Sequence, residues 1–113
     1  MNLHYYGKLD SLESCYTFQT FEVNGIKLHI QNSPRFGYEP ATMNIKNPAM
    51  FIEKEDGFYR FEIEDFVISI EDGNIKINQE EINKILLGVS DIIWVEFLNS
   101  IGQKYHFMTN NGK

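Results

Sequence analysis

The chain has 113 residues, of which 42% are hydrophobic and 14% aromatic, and its 16 acidic and 10 basic side chains give a net charge of -6. This length fits one domain, residues 1–113, and the apolar content is too high for a disordered chain. The acidic balance disfavours nucleic acid, whose phosphates would be repelled, and favours a basic protein partner.

The sequence carries no signal for secretion or membrane insertion. Its single cysteine, Cys15, cannot form an internal disulfide, which is typical of proteins in a reducing compartment. The N-terminus lacks a positive segment followed by an apolar run, and nowhere do eighteen apolar residues occur together. We therefore expect a cytoplasmic protein with no membrane span.

The first predicted element is a hairpin around the dipeptide Asn24-Gly25. A type I′ turn needs positive φ at both central positions, which these two residue types tolerate. Pairing outward places apolar residues opposite each other on one face and acid opposite base on the other. The expected pairs are Val23 with Ile26, Phe21 with Leu28, Gln19 with Ile30, Glu22 with Lys27, and Thr20 with His29.

The next segment, residues 32–50, contains three prolines and is predicted to be largely a connection, with a short edge strand at residues 42–46. Arg35, Phe36 and Tyr38 within it are candidates for partner contact, because arginine and aromatic residues are enriched in binding hot spots. In the alternative interpretation, Phe36 and Tyr38 pack back over the core.

Two more Asp-Gly turns predict two more hairpins, at residues 56–57 and 72–73. The expected pairs are Ile52 with Phe61, Met50 with Ile63, Glu53 with Arg60, Ile70 with Ile75, Ile68 with Ile77, and Ser69 with Lys76. The apolar positions change from odd to even between the two hairpins, so we expect a tight turn at Glu64-Asp65. Residues 49–78 would then form a four-strand meander with one apolar face.

Acidic residues alternate with the apolar ones of this meander. They lie opposite the predicted core or at turns, where water solvates carboxylates at little cost. We interpret Glu53, Glu55, Glu62 and Glu71 as an acidic face for a basic partner. The competing interpretation, a paired-carboxylate active site, would require two of them in a cleft with shifted pKa values.

After the meander, the sequence predicts one helix over residues 79–87. Asn78 and Glu81 are spaced as a capping box, and Gly88 is placed to end the helix. The tail is predicted to be a last hairpin with its loop at residues 100–102. Its expected pairs are Val95 with Phe107, Phe97 with Tyr105, Trp94 with Met108, and Glu96 with His106. Both faces of this hairpin are apolar, so it is either covered on both sides or free on one side for a partner.

No residue pattern identifies a catalytic, metal or cofactor site. His4, His29 and His106 are far apart in sequence and lack the local spacing of metal ligands. Cys15 has no neighbouring histidine to activate it, and no glycine-rich loop precedes the helix. We therefore expect no cofactor and no metal.

Together these features predict an α+β fold: a mostly antiparallel, twisted sheet of six to eight strands with one helix. Closure into a barrel and stacking as a sandwich both remain open, as does the oligomeric state. For function we expect a non-catalytic binding protein, a bacterial or phage inhibitor of the immunity-protein type that neutralises a basic toxin or nuclease. The alternatives are a small-molecule-binding β-barrel or minor enzyme, and a subunit of a phage or host assembly.

Overall fold

The computed structural model describes the backbone of residues 2–34 and 42–100 and the side chains of residues 2–34 and 42–90. Eight strands and one helix follow in chain order: β1 (Leu3–Leu9), β2 (Phe18–Val23), β3 (Ile26–Gln31), β4 (Met43–Lys46), β5 (Met50–Lys54), β6 (Gly57–Ile63), β7 (Val67–Glu71), β8 (Asn74–Lys76) and α1 (Gln79–Ser100). The strands form a five-stranded sheet in the order β1-β6-β5-β3-β2 and a three-stranded sheet in the order β4-β7-β8, and every pair is antiparallel. The α+β prediction is confirmed.

Both sheets and the helix contribute to one core. Alternate residues of each strand enter it, as expected for a sheet with one buried face. The buried members are Leu28, Ile30, Ile45, Met50, Ile52, Tyr59, Phe61, Ile63, Ile68, Ile70, Ile75, Ile85 and Val89. Because the two sheets share one apolar interior, the described strands correspond to the sandwich and not to the barrel.

The first hairpin is confirmed residue by residue. Asn24 and Gly25 have φ values of 52° and 81°, the left-handed conformation that a type I′ turn requires. Val23 lies opposite Ile26, and the register continues to Phe18 opposite Gln31. All the pairs expected between Gln19-Ile30 and Val23-Ile26 are therefore present.

The predicted register of the second hairpin is wrong by two residues. Met50 pairs with Phe61 and Ile52 with Tyr59, because the turn is centred on Glu55 and Asp56. Consequently Glu53 lies opposite Phe58, and Arg60 lies opposite Phe51.

Gly57 explains the shift. This residue begins β6 with φ 147°, and a Cβ atom there would lie 2.8 Å from the backbone oxygen of Leu9 on β1. The glycine is thus needed for close approach to the neighbouring strand, not for the centre of the turn. A shift of two residues keeps every side chain on its face, so the predicted core positions remain correct.

The third hairpin is confirmed for Ser69 opposite Lys76 and Ile70 opposite Ile75. The predicted pair of Ile68 with Ile77 is wrong, because β8 ends at Lys76. The turn at Glu64-Asp65 is also confirmed, since Asp65 has φ 61° and the Phe66 amide donates to the Ile63 carbonyl oxygen at 3.2 Å.

The single four-strand meander is wrong. β7 pairs with β4 and β8 and not with β6, so the chain passes from one sheet to the other at this turn. The change in apolar parity arises because the two sheets face the core from opposite sides. The short edge strand expected at residues 42–46 is confirmed as β4, whereas β1 is an additional edge strand that the sequence did not reveal.

The helix begins as predicted and continues further. The Asn78 side chain accepts from the Glu81 amide at 2.9 Å, and the Glu81 carboxylate accepts from the Asn78 amide at 3.4 Å, which completes the capping box. Ile85 and Val89 are each 1% exposed. Gly88 does not end the helix, because one interior glycine costs only about 1 kcal/mol and the burial of Ile85 and Val89 offsets that cost.

The first strand of the predicted last hairpin is wrong. Residues 94–97 belong to α1, which runs to Ser100, so they form no strand. Their predicted partners at residues 105–108, including His106, lie outside the described residues, as do Arg35, Phe36 and Tyr38. Within the part of the chain that the structure describes, no helix combines the length and apolar character needed to span a bilayer.

Candidate functional site

One segment, residues 10–17, crosses the side of the five-stranded sheet that faces away from the core. We call this segment the strap and this side the outer face. It links β1 to β2, which occupy opposite edges of the sheet, so it must span four strand spacings, roughly 19 Å. Midway, the carboxylate of Glu13 accepts a hydrogen bond of 2.7 Å from Arg60 Nε on β6.

Arg60 holds the strap through contacts on several sides. Besides Glu13, its Nη2 donates to the Glu62 carboxylate at 3.0 Å, and its guanidinium lies 4.5 Å from the centre of the Tyr6 ring. Burial alone would lower the Arg60 pKa, but the hydrogen bonds and negative charges of Glu13 and Glu62 outweigh burial and raise it. Arg60 therefore stays charged, and Glu62 is already paired within the molecule.

Phe51 lies on the outer face, yet none of its surface is exposed. The ring of Phe18 meets it edge-on at 5.3 Å, and Tyr16 of the strap packs against Phe18 at 6.1 Å. These aromatic side chains form a second, smaller apolar layer beneath the strap. The reverse side of the sheet is therefore not simply a solvated polar face.

Beside this layer, three polar side chains are hydrogen-bonded in a row across β2, β3 and β5. His29 is 6% exposed, its Nδ1 is 2.6 Å from Thr20 Oγ1, and its Nε2 is 2.8 Å from Glu53 Oε1. Because a carboxylate only accepts, Nε2 carries a proton that it donates to Glu53, and Nδ1 is hydrogen-bonded to the Thr20 hydroxyl, which can donate or accept. The row fully satisfies a buried imidazole.

A hydroxyl, an imidazole and a carboxylate in series also resemble the order found in nucleophilic catalysis. Such chemistry further needs a substrate cleft at the hydroxyl and donors for the developing oxyanion. The cleft next to Glu53 is lined by residues 25–26 and 52–56 and does not include Thr20. The two described histidines share no site, since His4 lies 3.4 Å from Glu64 whereas His29 contacts Glu53.

That cleft, which we call the hairpin cleft, lies where the first two hairpin turns approach each other. It has a volume of about 590 Å³ and opens to solvent, with Ile26 and Ile52 as apolar lining and Glu53, Glu55 and Asp56 as acidic lining. Lys54 also lines it, and its Nζ lies 5.8 Å from the centre of the Tyr59 ring.

Asp56 is held ionised in this cleft. The Tyr59 hydroxyl donates to both carboxylate oxygens, at 2.9 and 3.0 Å, and Lys8 Nζ donates at 3.3 Å. The hydrogen bond from Tyr59 is the main reason that the Asp56 pKa is lowered from its ordinary value of 3.8, and Lys8 lowers it further. Sequence reasoning placed Asp56 only at a turn, because the incorrect register concealed its contact with Tyr59 three residues later.

The four acidic residues expected to form one face are divided. Glu53 and Glu55 come together at the hairpin cleft. Glu62 is paired with Arg60 on the outer face, and Glu71 belongs to β7 in the other sheet, where its carboxylate lies 3.8 Å from Lys76 Nζ. Among the described residues, no group of three or more His, Cys, Asp and Glu side chains is placed to hold a metal ion.

Hydrogen bonds also fix the point where the chain leaves β3 towards residues 35–41. Gln31 Nε2 donates to the Ser33 carbonyl oxygen at 2.7 Å, and Gln31 Oε1 accepts from the Ala49 amide at 2.8 Å. Ser33 Oγ accepts from the Thr17 amide at 2.9 Å. Gln31 and Ser33 are both buried, at 6% and 1% exposure, so the segment that carries Arg35 starts from a rigid position.

No protein-family model, no curated protein and no solved structure matches this chain.

Proposed function

We propose that this protein is a non-catalytic binding protein that captures a basic protein partner through the hairpin cleft and the segment carrying Arg35, Phe36 and Tyr38. In this proposal it acts as a bacterial or phage inhibitor of the immunity-protein type, which neutralises a basic toxin or nuclease in the cytoplasm. Net charge of -6 supports a basic partner, because the field of the whole molecule would attract it and speed encounter.

The hairpin cleft is the observation that carries the proposal. Glu53 and Glu55 lie beside the apolar side chains of Ile26 and Ile52, and Asp56 remains ionised because of Tyr59. A lysine or arginine of a partner could lay its methylene groups against the partly exposed side chain of Ile26 while its charged head meets the carboxylates. Glu55 is exposed on the turn, where a partner can reach it.

The packing of the interior also favours a protein partner over an enclosed small molecule. The buried core side chains of the described residues are 0–9% exposed and come from both sheets and the helix. Small-molecule sites usually enclose most of their ligand in a concave, mainly apolar pocket, whereas the hairpin cleft is open to solvent.

The hydrogen bonds at Gln31 and Ser33 support a role for the segment that follows them. Binding residues are commonly presented by loops whose ends are fixed on a rigid scaffold, since less freedom is then lost on binding. Arg35, Phe36 and Tyr38 follow this fixed point directly, and they remain predicted anchors of the partner.

A second candidate function, a small-molecule-binding protein or minor enzyme, is favoured by one observation: the row of Thr20, His29 and Glu53. The two candidates differ in what a Thr20→Val substitution should do. It would abolish catalysis that uses the hydroxyl, and it would leave capture of a protein at the hairpin cleft unchanged.

The test is affinity capture by the immobilised full-length chain from an extract of the organism that encodes it, with bound proteins and metabolites both identified by mass spectrometry. We expect a basic protein that is retained by the wild type and by Glu80→Lys, an exposed control on the helix, and is lost with Glu55→Lys. Retention by both variants, or recovery of a metabolite in place of a protein, would contradict the proposal.

A further inference from the structure

Among the described residues, β2 differs from the other edge strands in having a regular edge with no backbone partner. Val23 and Ile26 close a two-residue turn, so Val23, Phe21 and Gln19 direct their backbone groups towards β3. The Asn32 amide donates to the Thr17 carbonyl oxygen at 3.0 Å, so Thr17 also directs a backbone group towards the β3 side, as every second residue from 17 to 23 does. The backbone groups of residues 18, 20 and 22 therefore point away from the sheet.

The other edges among the described strands carry features that limit pairing. β1 is interrupted by a bulge between Tyr5 and Gly7. β4 and β8 have only four and three residues, and the Ile75 amide of β8 is occupied by Gln19 Oε1 at 2.8 Å. Short, bulged or covered edges are how proteins avoid unwanted strand pairing. β2 has six residues with neither a proline nor a bulge.

We propose that the β2 edge pairs with the same edge of a second copy of this chain. In an antiparallel pair centred on a two-fold axis at Thr20, this residue faces its own copy, and Phe18 and Glu22 face each other across the interface. The three outward-pointing residues of each chain would then form six backbone hydrogen bonds. The two five-stranded sheets would join into one continuous sheet of ten strands.

This register is the one that the side chains favour. A Thr-Thr pair at the axis is favourable, and no two like charges lie directly opposite each other. Centring the pair on Glu22 would place two carboxylates face to face, and centring it on Phe18 would leave Glu22 opposite residue 14, beyond the strand. The net charge of -6 on each chain makes the two copies repel at long range, so added salt should strengthen the dimer.

The first test is sedimentation velocity of the full-length chain over a range of concentrations, at low and high salt. We expect a monomer-dimer equilibrium that shifts towards dimer as salt rises. Thr20→Lys puts two ammonium groups opposite each other at the axis and should weaken dimerisation at least tenfold. Ser69→Lys is the matched control, since Ser69 is also exposed on a strand and also loses a hydrogen bond, to Asn44.

The second test does not depend on weakening an interaction. In a Cys15→Ser background, Thr20→Cys should form a covalent dimer under mild oxidation, because facing residues of a hydrogen-bonded antiparallel pair have Cα atoms about 5.5 Å apart, within disulfide range. Ser69→Cys in the same background should stay monomeric. A chain that is monomeric at all concentrations, or equal crosslinking of both variants, would overturn the proposal without bearing on capture of a basic partner.

Discussion

Replacing Phe51 with alanine should destabilise the fold as strongly as a substitution in the main core, although Phe51 lies on the side of the sheet that alternation assigns to solvent. Its ring is fully buried, at 0% exposure, and contacts Phe18 edge-on at 5.3 Å. Full burial of such a side chain contributes about 3 kcal/mol and the aromatic contact about 1 kcal/mol more. We therefore expect the free energy of unfolding to fall by about 3–5 kcal/mol, the usual range for buried Phe→Ala changes.

The assay is urea denaturation followed by circular dichroism, comparing Phe51→Ala with two references. Phe61→Ala, at a fully buried position in the main core, should cost a similar amount, and Val67→Ala, at a position that is 51% exposed, should cost less than about 1 kcal/mol. If Phe51→Ala instead behaved like Val67→Ala, the outer face would be open to water and the strap would not cover it.

Two further predictions concern charged contacts. Glu13→Gln should lower the free energy of unfolding by about 1 kcal/mol, because it removes a partly exposed ion pair with Arg60. The same substitution should speed proteolysis within the strap, residues 10–17. An unchanged rate of cleavage there would contradict the role of Arg60 in holding the strap. NMR titration should find the Asp56 pKa below 3.8 in the wild type and closer to that value in Tyr59→Phe. Since the pKa of Asp56 is lower in the folded than in the unfolded protein, ionised Asp56 stabilises the fold at any pH above its unfolded-state pKa. This stabilisation is lost as the pH falls through the folded-state pKa. The Asp56→Asn variant should therefore lose less stability in acid than the wild type.

Local signals predicted the parts of the fold that depend on neighbours in sequence. The Asn24-Gly25 turn determines its own register, and the capping box at Asn78 and Glu81 determines where the helix starts. The core positions of β5 and β6 were also predicted, because a shift of two residues leaves the face of each side chain unchanged.

The errors share one physical cause: each depended on a contact distant in sequence. Gly57 resembles a turn residue, yet its conformation reflects the approach of Leu9, 48 positions earlier. The parity change at Glu64-Asp65 fits both a turn within one sheet and a crossing between two sheets, and only the pairing of β7 with β4 distinguishes them. Likewise, Gly88 can end a helix or be tolerated inside one, depending on packing that local spacing does not reveal.

The candidate site was predicted in part. Glu53 and Glu55 were chosen as acids away from the core, and the structure brings them together at the hairpin cleft. The internal contacts of Glu53 with His29 and of Glu62 with Arg60 could not be predicted, because they depend on the order of strands in the sheet. Glu71 was assigned to the same face only because the two sheets were taken for one meander.

Capture of a basic partner is the central claim, and surface plasmon resonance with the purified partner at several salt concentrations tests it most directly. We expect the association rate to fall steeply as salt rises, and Glu55→Lys to lower that rate and flatten its salt dependence, whereas Glu80→Lys should have a smaller effect. Phe36→Ala and Tyr38→Ala should instead raise the dissociation rate, by about tenfold for each 1.4 kcal/mol of binding free energy that the truncated ring had supplied. Association that ignores both salt and Glu55→Lys would contradict the claim.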